Sequence, residues 1–205
     1  MAMKLYYTPT SPFVRKVMVV AHETGQAGRL ETTFLRPTPT KADPGLSKDN
    51  PLSKIPALVT DDLGVLYDSP VICEYLDSLH EGPKLFPASG PARWRALRVQ
   101  ALADGVLDAS VLVFYERTLR PEAMRWPAWI DGQMEKAKQG LDALELEAST
   151  FGADIDIGQV CAGAAMGWLE FRDVLGDLRA TRPALTTWYE RFRTRASMKA
   201  TEPHI

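Results

Sequence analysis

KLYYTPTSPFVRKVMVVA, residues 4–21, is the stretch on which the fold turns. Lys4-Leu5-Tyr6-Tyr7 predicts a short strand. Val14, Val17, Met18 and Ala21 then recur at helical spacing and define one apolar face. Ser11 suits the N-cap of that helix, Pro12 its first position, and Gly25 its stop. A hydroxyl-rich turn, Thr8-Pro9-Thr10-Ser11, therefore joins a strand end to a helix N-terminus, where main-chain N–H groups and the helix dipole favour an anion. A thiol held at this turn would meet both the Ser11 hydroxyl and that positive end, and both favour thiolate over thiol. Read alone, Ser11 is simply a helix cap.

Working outward, Thr32-Thr33-Phe34-Leu35 predicts a second strand, parallel to the first because a helical crossover leads to it. Residues 36–53 are rich in Pro, Asp, Lys and Ser, a surface loop with at most one irregular helix. Ala57-Leu58-Val59-Thr60 and Val65-Leu66-Tyr67 flank Asp61-Asp62-Leu63-Gly64, a hairpin signal. Ser69 then caps a helix with Pro70 next and with Val71, Ile72, Tyr75, Leu76 and Leu79 on its apolar side. The order β-α-β, loop, β-β-α is the thioredoxin-like plan. Residues 81–88, with Gly82, Pro83 and Pro87, read as a linker. Past it the pattern is helical only, over about 92–117 and about 127–148 and again from Ile157 to Leu169. Asp156 with Gln159 forms a capping-box pattern, and Ile155 suits a hydrophobic staple on Val160. Pro183, Leu185, Trp188 and Phe192 define a last helix. The expected architecture is an α/β thioredoxin-like N-terminal domain over residues 1–80 and an all-α C-terminal domain over 89–205.

The 205 residues are 45% hydrophobic and 24% charged, with 24 Lys and Arg against 26 Asp and Glu for a net charge of −2. These are values for a globular protein with no long basic run, so no nucleic-acid partner is expected. No run of about 18 apolar residues and no signal-like start occur, so no membrane span and a cytoplasmic location are expected. The two cysteines, Cys73 and Cys161, belong to no Cys-x-x-Cys pair, which leaves a dithiol site or a zinc site without its usual ligands. Both sit in apolar helical patterns as small core residues.

Two further segments carry chemistry. In Asn50-Pro51-Leu52-Ser53-Lys54-Ile55-Pro56-Ala57-Leu58, a proline leads directly into a strand. Such a proline is often cis and leaves the main chain of the residue before it open to an extended peptide. A rigid strand entry without a ligand is the equal alternative. In Tyr67-Asp68-Ser69-Pro70, Ser69 and the N–H groups of its helix suit an α-carboxylate, and Asp68 suits an α-ammonium. Alone, this pair is ordinary capping.

Together the three segments resemble the glutathione transferase superfamily, in its bacterial, serine-type, two-domain form. The resemblance extends along nearly the whole chain, through Gly167-Trp168-Leu169-Glu170-Phe171-Arg172 and Arg182-Pro183-Ala184-Leu185 in the helical half. It implies that Ser11 is the catalytic residue that activates the glutathione sulfur and that Phe13 belongs to the glutathione site. Ile55, before a cis Pro56, pairs its main chain with the cysteinyl part, and Lys54 reaches toward the glycine carboxylate. Asp68 and Ser69 hold the γ-glutamyl group. Glutathione is then a co-substrate, no metal is involved, and a small electrophile near Phe114 and Tyr115 is the second substrate in a conjugation of the detoxifying kind, carried out by a homodimer.

The chain departs from the pattern at Asp68, where many relatives have Glu or Gln. Asp104, in Ala103-Asp104-Gly105, is a candidate helper, against the reading of an ordinary exposed helix acid. Thr10 competes with Ser11 for the sulfur, whereas Tyr6 and Tyr7 are read as core and sheet-face residues. Two rival functions remain: a glutathione-dependent disulfide reductase or peroxidase, disfavoured because position 11 is not Cys, and a non-enzymatic interaction protein of the same fold.

Overall fold

In the computed structural model, which describes residues 2–205, strand β1 (Met3–Tyr7) buries Met3, Leu5 and Tyr6 and leads through a short turn into helix α1 (Pro12–Glu23). Ser11 is the N-cap and Pro12 the first helical residue, as their chemistry dictates. The buried face of α1 is wider than a single stripe, because Val19 and Val20 are buried with Val14, Val17 and Ala21. The helix ends at Thr24 and Gly25, whose φ of 70° is a left-handed conformation open to glycine without steric cost. Strand β2 (Leu30–Phe34) runs parallel to β1, in the register Met3 beside Leu30.

Helix α2 (Pro44–Asp49) is the one short helix of the following loop, and the Asp43 carboxylate caps it by accepting from the N–H groups of Gly45 and Leu46. Strand β3 (Ala57–Thr60) is antiparallel to β1, and β4 (Gly64–Leu66) is antiparallel to β3. The sheet is mixed and ordered β2-β1-β3-β4. Helix α3 (Ser69–Ser78) corrects the sequence reading in two respects. Its N-cap is Asp68 rather than Ser69, and its buried side carries Ile72, Cys73, Leu76 and Asp77 while Val71 and Leu79 are exposed.

Asp77 is a buried carboxylate that the apolar pattern of α3 did not foretell. It accepts from the main-chain N–H of Leu85 at 2.8 Å and of Phe86 at 3.1 Å, and contacts His80 Nε2 at 3.1 Å. These bonds fasten the segment after α3 back onto the helix that opens with Asp68 and Ser69. Truncation would leave two buried amide donors unpaired, each costing about 1–3 kcal/mol. Asp77→Ala is therefore expected to lower unfolding stability by about 2–4 kcal/mol in a urea titration, with Asp77→Asn, which keeps one acceptor oxygen, falling in between.

The chain forms two compact units, Met1–Phe86 with Ala196–Ile205, and Pro87–Arg195. The second is wholly helical: α4 (Gly90–Thr118), α5 (Pro127–Ala148), α6 (Ile157–Arg172) and α7 (Pro183–Phe192). Helix α6 is buried from Ile157 to Leu169 and packs on α4 through small residues. At Gly158 the approach is so close that an added Cβ would lie 2.8 Å from Val99 Cβ. Asp156 caps α6 by accepting from the Gln159 N–H at 3.0 Å, but the Gln159 side chain donates to the Asp154 carbonyl, so only one half of the expected capping box forms. Cys73 and Cys161 are both buried.

Helix α8 (Ala196–Ala200) has no counterpart in the sequence reading, which grouped residues 89–205 together. It packs on α1 in the first unit, where the Arg15 guanidinium donates to the Met198 carbonyl at 3.2 Å and the Ser197 hydroxyl donates to Glu23. Five residues are too few to show a helical period.

Candidate functional site

Sheet topology gathers the three chemistry-bearing segments. β1 ends at Tyr7, β3 begins at Ala57 beside Tyr6, and β4 ends at Leu66 beside Leu58. Residues 8–11, 54–56 and 67–69 thus leave the sheet from one end, although they are far apart in sequence. That end carries the N-termini of α1 and α3, each with unbonded N–H groups in its first turn.

At the first segment, the Ser11 Oγ accepts from the Val14 N–H at 3.3 Å. The cap is real, and it occupies a lone pair only. The Ser11 O–H proton is still available to donate. Thr10 Oγ1 lies 3.4 Å from Thr8 Oγ1, so its hydroxyl is shared with a neighbour in the same turn. A small cavity backs the turn, lined by Tyr7, Thr8, Val14, Arg15, Met18 and Ala200 among others, so α8 contributes to the support of this loop through Ala200. Burial pushes the Tyr7 phenol above its ordinary range. Phe13, half-buried in the first turn of α1, lies under the Lys16 ammonium at 5.8 Å from its ring centre.

The Ile55–Pro56 peptide is cis. The β1–β3 ladder begins at Ala57, so the main chain of Ile55 lies outside it at the mouth of the sheet. Lys54 is exposed and Ile55 half-buried. Upstream, the Tyr6 hydroxyl donates to Asp49 at 2.6 Å and the Lys4 ammonium donates to Tyr6 at 2.9 Å. The Tyr6 hydrogen bond, with help from Lys4, holds the Asp49 carboxyl below the usual range. Tyr6 is thus a core residue, as its strand position implied, with a polar tip that fastens the end of α2 to β1.

At the third segment, Asp68 occupies the N-cap of α3 but makes no side-chain bond to the helix, and its side chain is exposed. Ser69 is buried. The first helical bond runs from the Ile72 N–H to the Asp68 carbonyl, and Pro70 has no N–H, which leaves the N–H groups of Ser69 and Val71 in the open first turn. An uncommitted carboxylate beside open amide donors matches the two opposite charges of an amino-acid head group.

Asp104, Phe114 and Tyr115 belong to α4 in the second unit. Asp104 is half-buried. Phe114 packs against Tyr115 and Trp168, and the Arg172 guanidinium lies 4.6 Å from the Phe114 ring centre. Burial raises the Tyr115 hydroxyl above its ordinary range, with Arg172 opposing the shift.

Asn50, whose side chain donates to the Lys54 carbonyl at 2.8 Å, Asp49, Arg15 and α8 all lie around the candidate site, and none was singled out from sequence. The Asn-Pro pair ahead of a Ser-Lys-Ile-Pro turn was the one usable signal, since Asn often bonds its own downstream main chain.

Comparison with known proteins bears on the family of the chain. Residues 10–79 match the family model for the glutathione S-transferase N-terminal domain, and residues 127–191 match that for the C-terminal domain. The chain is 34% identical to the uncharacterized GST-like protein YibF of Escherichia coli K12 over 98% of each chain. It is similar to a glutathione transferase family member from Pseudomonas fluorescens Pf-5 crystallised with bound glutathione, at 45% identity, full coverage of both chains and a TM-score of 0.96. A structure of a family member from the same strain with bound S-(propanoic acid)-glutathione is 43% identical, covering 99% of this chain and 100% of that one at a TM-score of 0.91. Among the described residues, no helix is long and apolar enough to cross a membrane.

Proposed function

Because the chain belongs to the glutathione S-transferase superfamily, we propose that it binds glutathione at the sheet end described above and adds the thiolate to a small electrophile. The observation that carries this reading is the convergence of three features at that end: the Ser11 turn, the Ile55–Pro56 bend and the Asp68–Ser69 helix start. The three fit consecutive parts of one γ-glutamyl peptide. Structures of similar proteins holding glutathione and a glutathione S-conjugate support it.

In this mechanism Asp68 takes the γ-glutamyl ammonium, and Ser69 with the α3 amides takes its carboxylate. Ile55 pairs with the cysteinyl main chain, and Lys54 meets the glycine carboxylate. Ser11 donates to the sulfur, and the α1 N-terminus adds a favourable field, so the thiol proton is released to solvent. The sulfur lone pair then forms the C–S bond while the electrophile loses a leaving group or accepts a proton at its activated double bond. Positioning and a lowered thiol pKa are the sources of rate. The active form is a homodimer.

Titration calorimetry tests the class. Reduced glutathione is expected to bind more tightly than free cysteine by at least about tenfold, because the head-group contacts add charge-assisted bonds. Absence of glutathione binding would remove the conjugation reading and leave a non-enzymatic interaction protein.

A further inference from the structure

The loop between α2 and β3 is wired around one side chain. Asn50 is buried to 1% exposure, yet it bears a primary amide with two kinds of hydrogen-bonding atom. Both are used. Its Nδ2 donates to the Lys54 carbonyl at 2.8 Å, and its Oδ1 accepts from the Leu52 N–H at 3.0 Å. Only one orientation of the amide satisfies both partners. The Asn50 carbonyl also accepts from the Ser53 N–H at 2.8 Å. Ser53 adopts a left-handed conformation with φ of 50°, a state a non-glycine residue keeps only when its surroundings hold it. Its Oγ accepts from the Asp43 N–H at 3.1 Å, which ties the loop to the start of α2. At the other end of α2, Asp49 is fastened to β1 through Tyr6 and Lys4.

The carbonyl that Asn50 holds belongs to the peptide unit whose N–H is that of Ile55. Fixing the Lys54 carbonyl therefore fixes the direction in which the Ile55 N–H points. It also fixes the backbone from which the Lys54 side chain departs. Among the described residues, no other side-chain bond to that peptide plane is seen, and Ile55 precedes the ladder that begins at Ala57.

We propose that Asn50 is a positioning residue for thiol-peptide binding, which acts through the Lys54 carbonyl to present the Ile55 main chain to the cysteinyl amide of glutathione. The inference rests on the glutathione-binding reading above and adds to it a residue that touches no ligand.

A strand-like pairing at Ile55 sets its N–H, whose direction follows from the Lys54 carbonyl, as donor to the cysteinyl carbonyl of glutathione. An ester analogue of glutathione, with oxygen in place of the glycine nitrogen, makes that carbonyl a weaker acceptor. The test is a cycle that combines this ligand change with Asn50→Ala, read by calorimetry. For the unmodified protein the ester should bind about tenfold more weakly than glutathione. Asn50→Ala should weaken glutathione by about tenfold, and in that variant the ester should bind within about threefold of glutathione, since the Ile55 N–H bond that it weakens is already lost. Asn50→Asp provides a second variant that preserves the acceptor for the Leu52 N–H while setting an oxygen against the Lys54 carbonyl. It should give the same reduced ester penalty, even if Asn50→Ala does not fold.

The outcomes separate cleanly. An unmodified protein that binds no glutathione overturns the functional reading. If it binds glutathione but shows no ester penalty, the pairing at Ile55 is absent and the positioning role falls. A full tenfold ester penalty that persists in the Asn50 variants makes Asn50 a structural residue only, as does unchanged glutathione affinity in Asn50→Ala.

Discussion

Ser11→Ala is expected to raise the pKa of the protein-bound thiol by about 1–2 units, the equivalent of one charge-assisted hydrogen bond of about 1.5–3 kcal/mol. The direction follows from which form the bond favours. In the proposed site the Ser11 O–H donates to the sulfur, and because thiolate accepts more strongly than thiol, removing the donor would disfavour the anion. At neutral pH the thiolate fraction and the conjugation rate should fall by about ten- to a hundredfold. Raising the pH should recover much of that loss, because the remaining site still holds the peptide. The ultraviolet absorbance of bound thiolate, followed against pH, checks this directly. A pure capping role predicts something else. Ser11 Oγ accepts from Val14, so its loss costs helix α1 about 0.5–2 kcal/mol of stability, and the thiol titration stays in place. A titration unmoved in Ser11→Ala but displaced in Thr10→Ala would transfer the role to Thr10. If neither variant moves it, the α1 N-terminus and main-chain amides are the source of thiolate stabilisation.

Removing the head-group site should have the largest effect on affinity. The double variant Asp68→Ala/Ser69→Ala is expected to weaken glutathione binding by about two to four orders of magnitude, from two charge-assisted bonds of about 1.5–3 kcal/mol each. The structure makes this a fair test, because the Asp68 side chain makes no capping bond and its loss leaves α3 its N-terminal geometry. Asp68→Asn keeps the shape and removes only the charge, and should account for a large part of the Asp68 loss. The two positions are neighbours, so their effects need not sum. Unchanged calorimetric affinity in the double variant would place the γ-glutamyl group elsewhere on the protein.

Residues that signal through short-range chemistry were legible one by one. Pro12 starts a helix because its fixed φ and missing N–H suit a first turn, and Ser11 and Asp156 cap because their oxygens reach back to open amides. The strand-to-helix turn at Ser11, the cis Pro56 and the Asp68–Ser69 pair were all visible in the sequence as possible ligand contacts. The error at α3 was also local in kind. Val71 and Leu79 are apolar, so periodicity assigned them to the core, but hydrophobicity does not require burial, and the buried side there includes the polar Asp77.

The sequence by itself determined the types of element and their order as far as α7 and named the candidate site residues, because helical period, capping and proline geometry act within a few residues of chain. Tertiary structure alone decided that β3 enters antiparallel beside β1 and so brings three distant segments to one sheet end. It alone set Tyr6 on Asp49, 43 positions away, and Arg15 on Met198, 183 positions away. It also gave Asn50 its hold on Lys54, since the same four-residue spacing in a polar loop is compatible with many turns. These contacts depend on which partners remain once the core has excluded water and every buried polar group must find a bond, a condition on the whole chain that no short window of sequence contains.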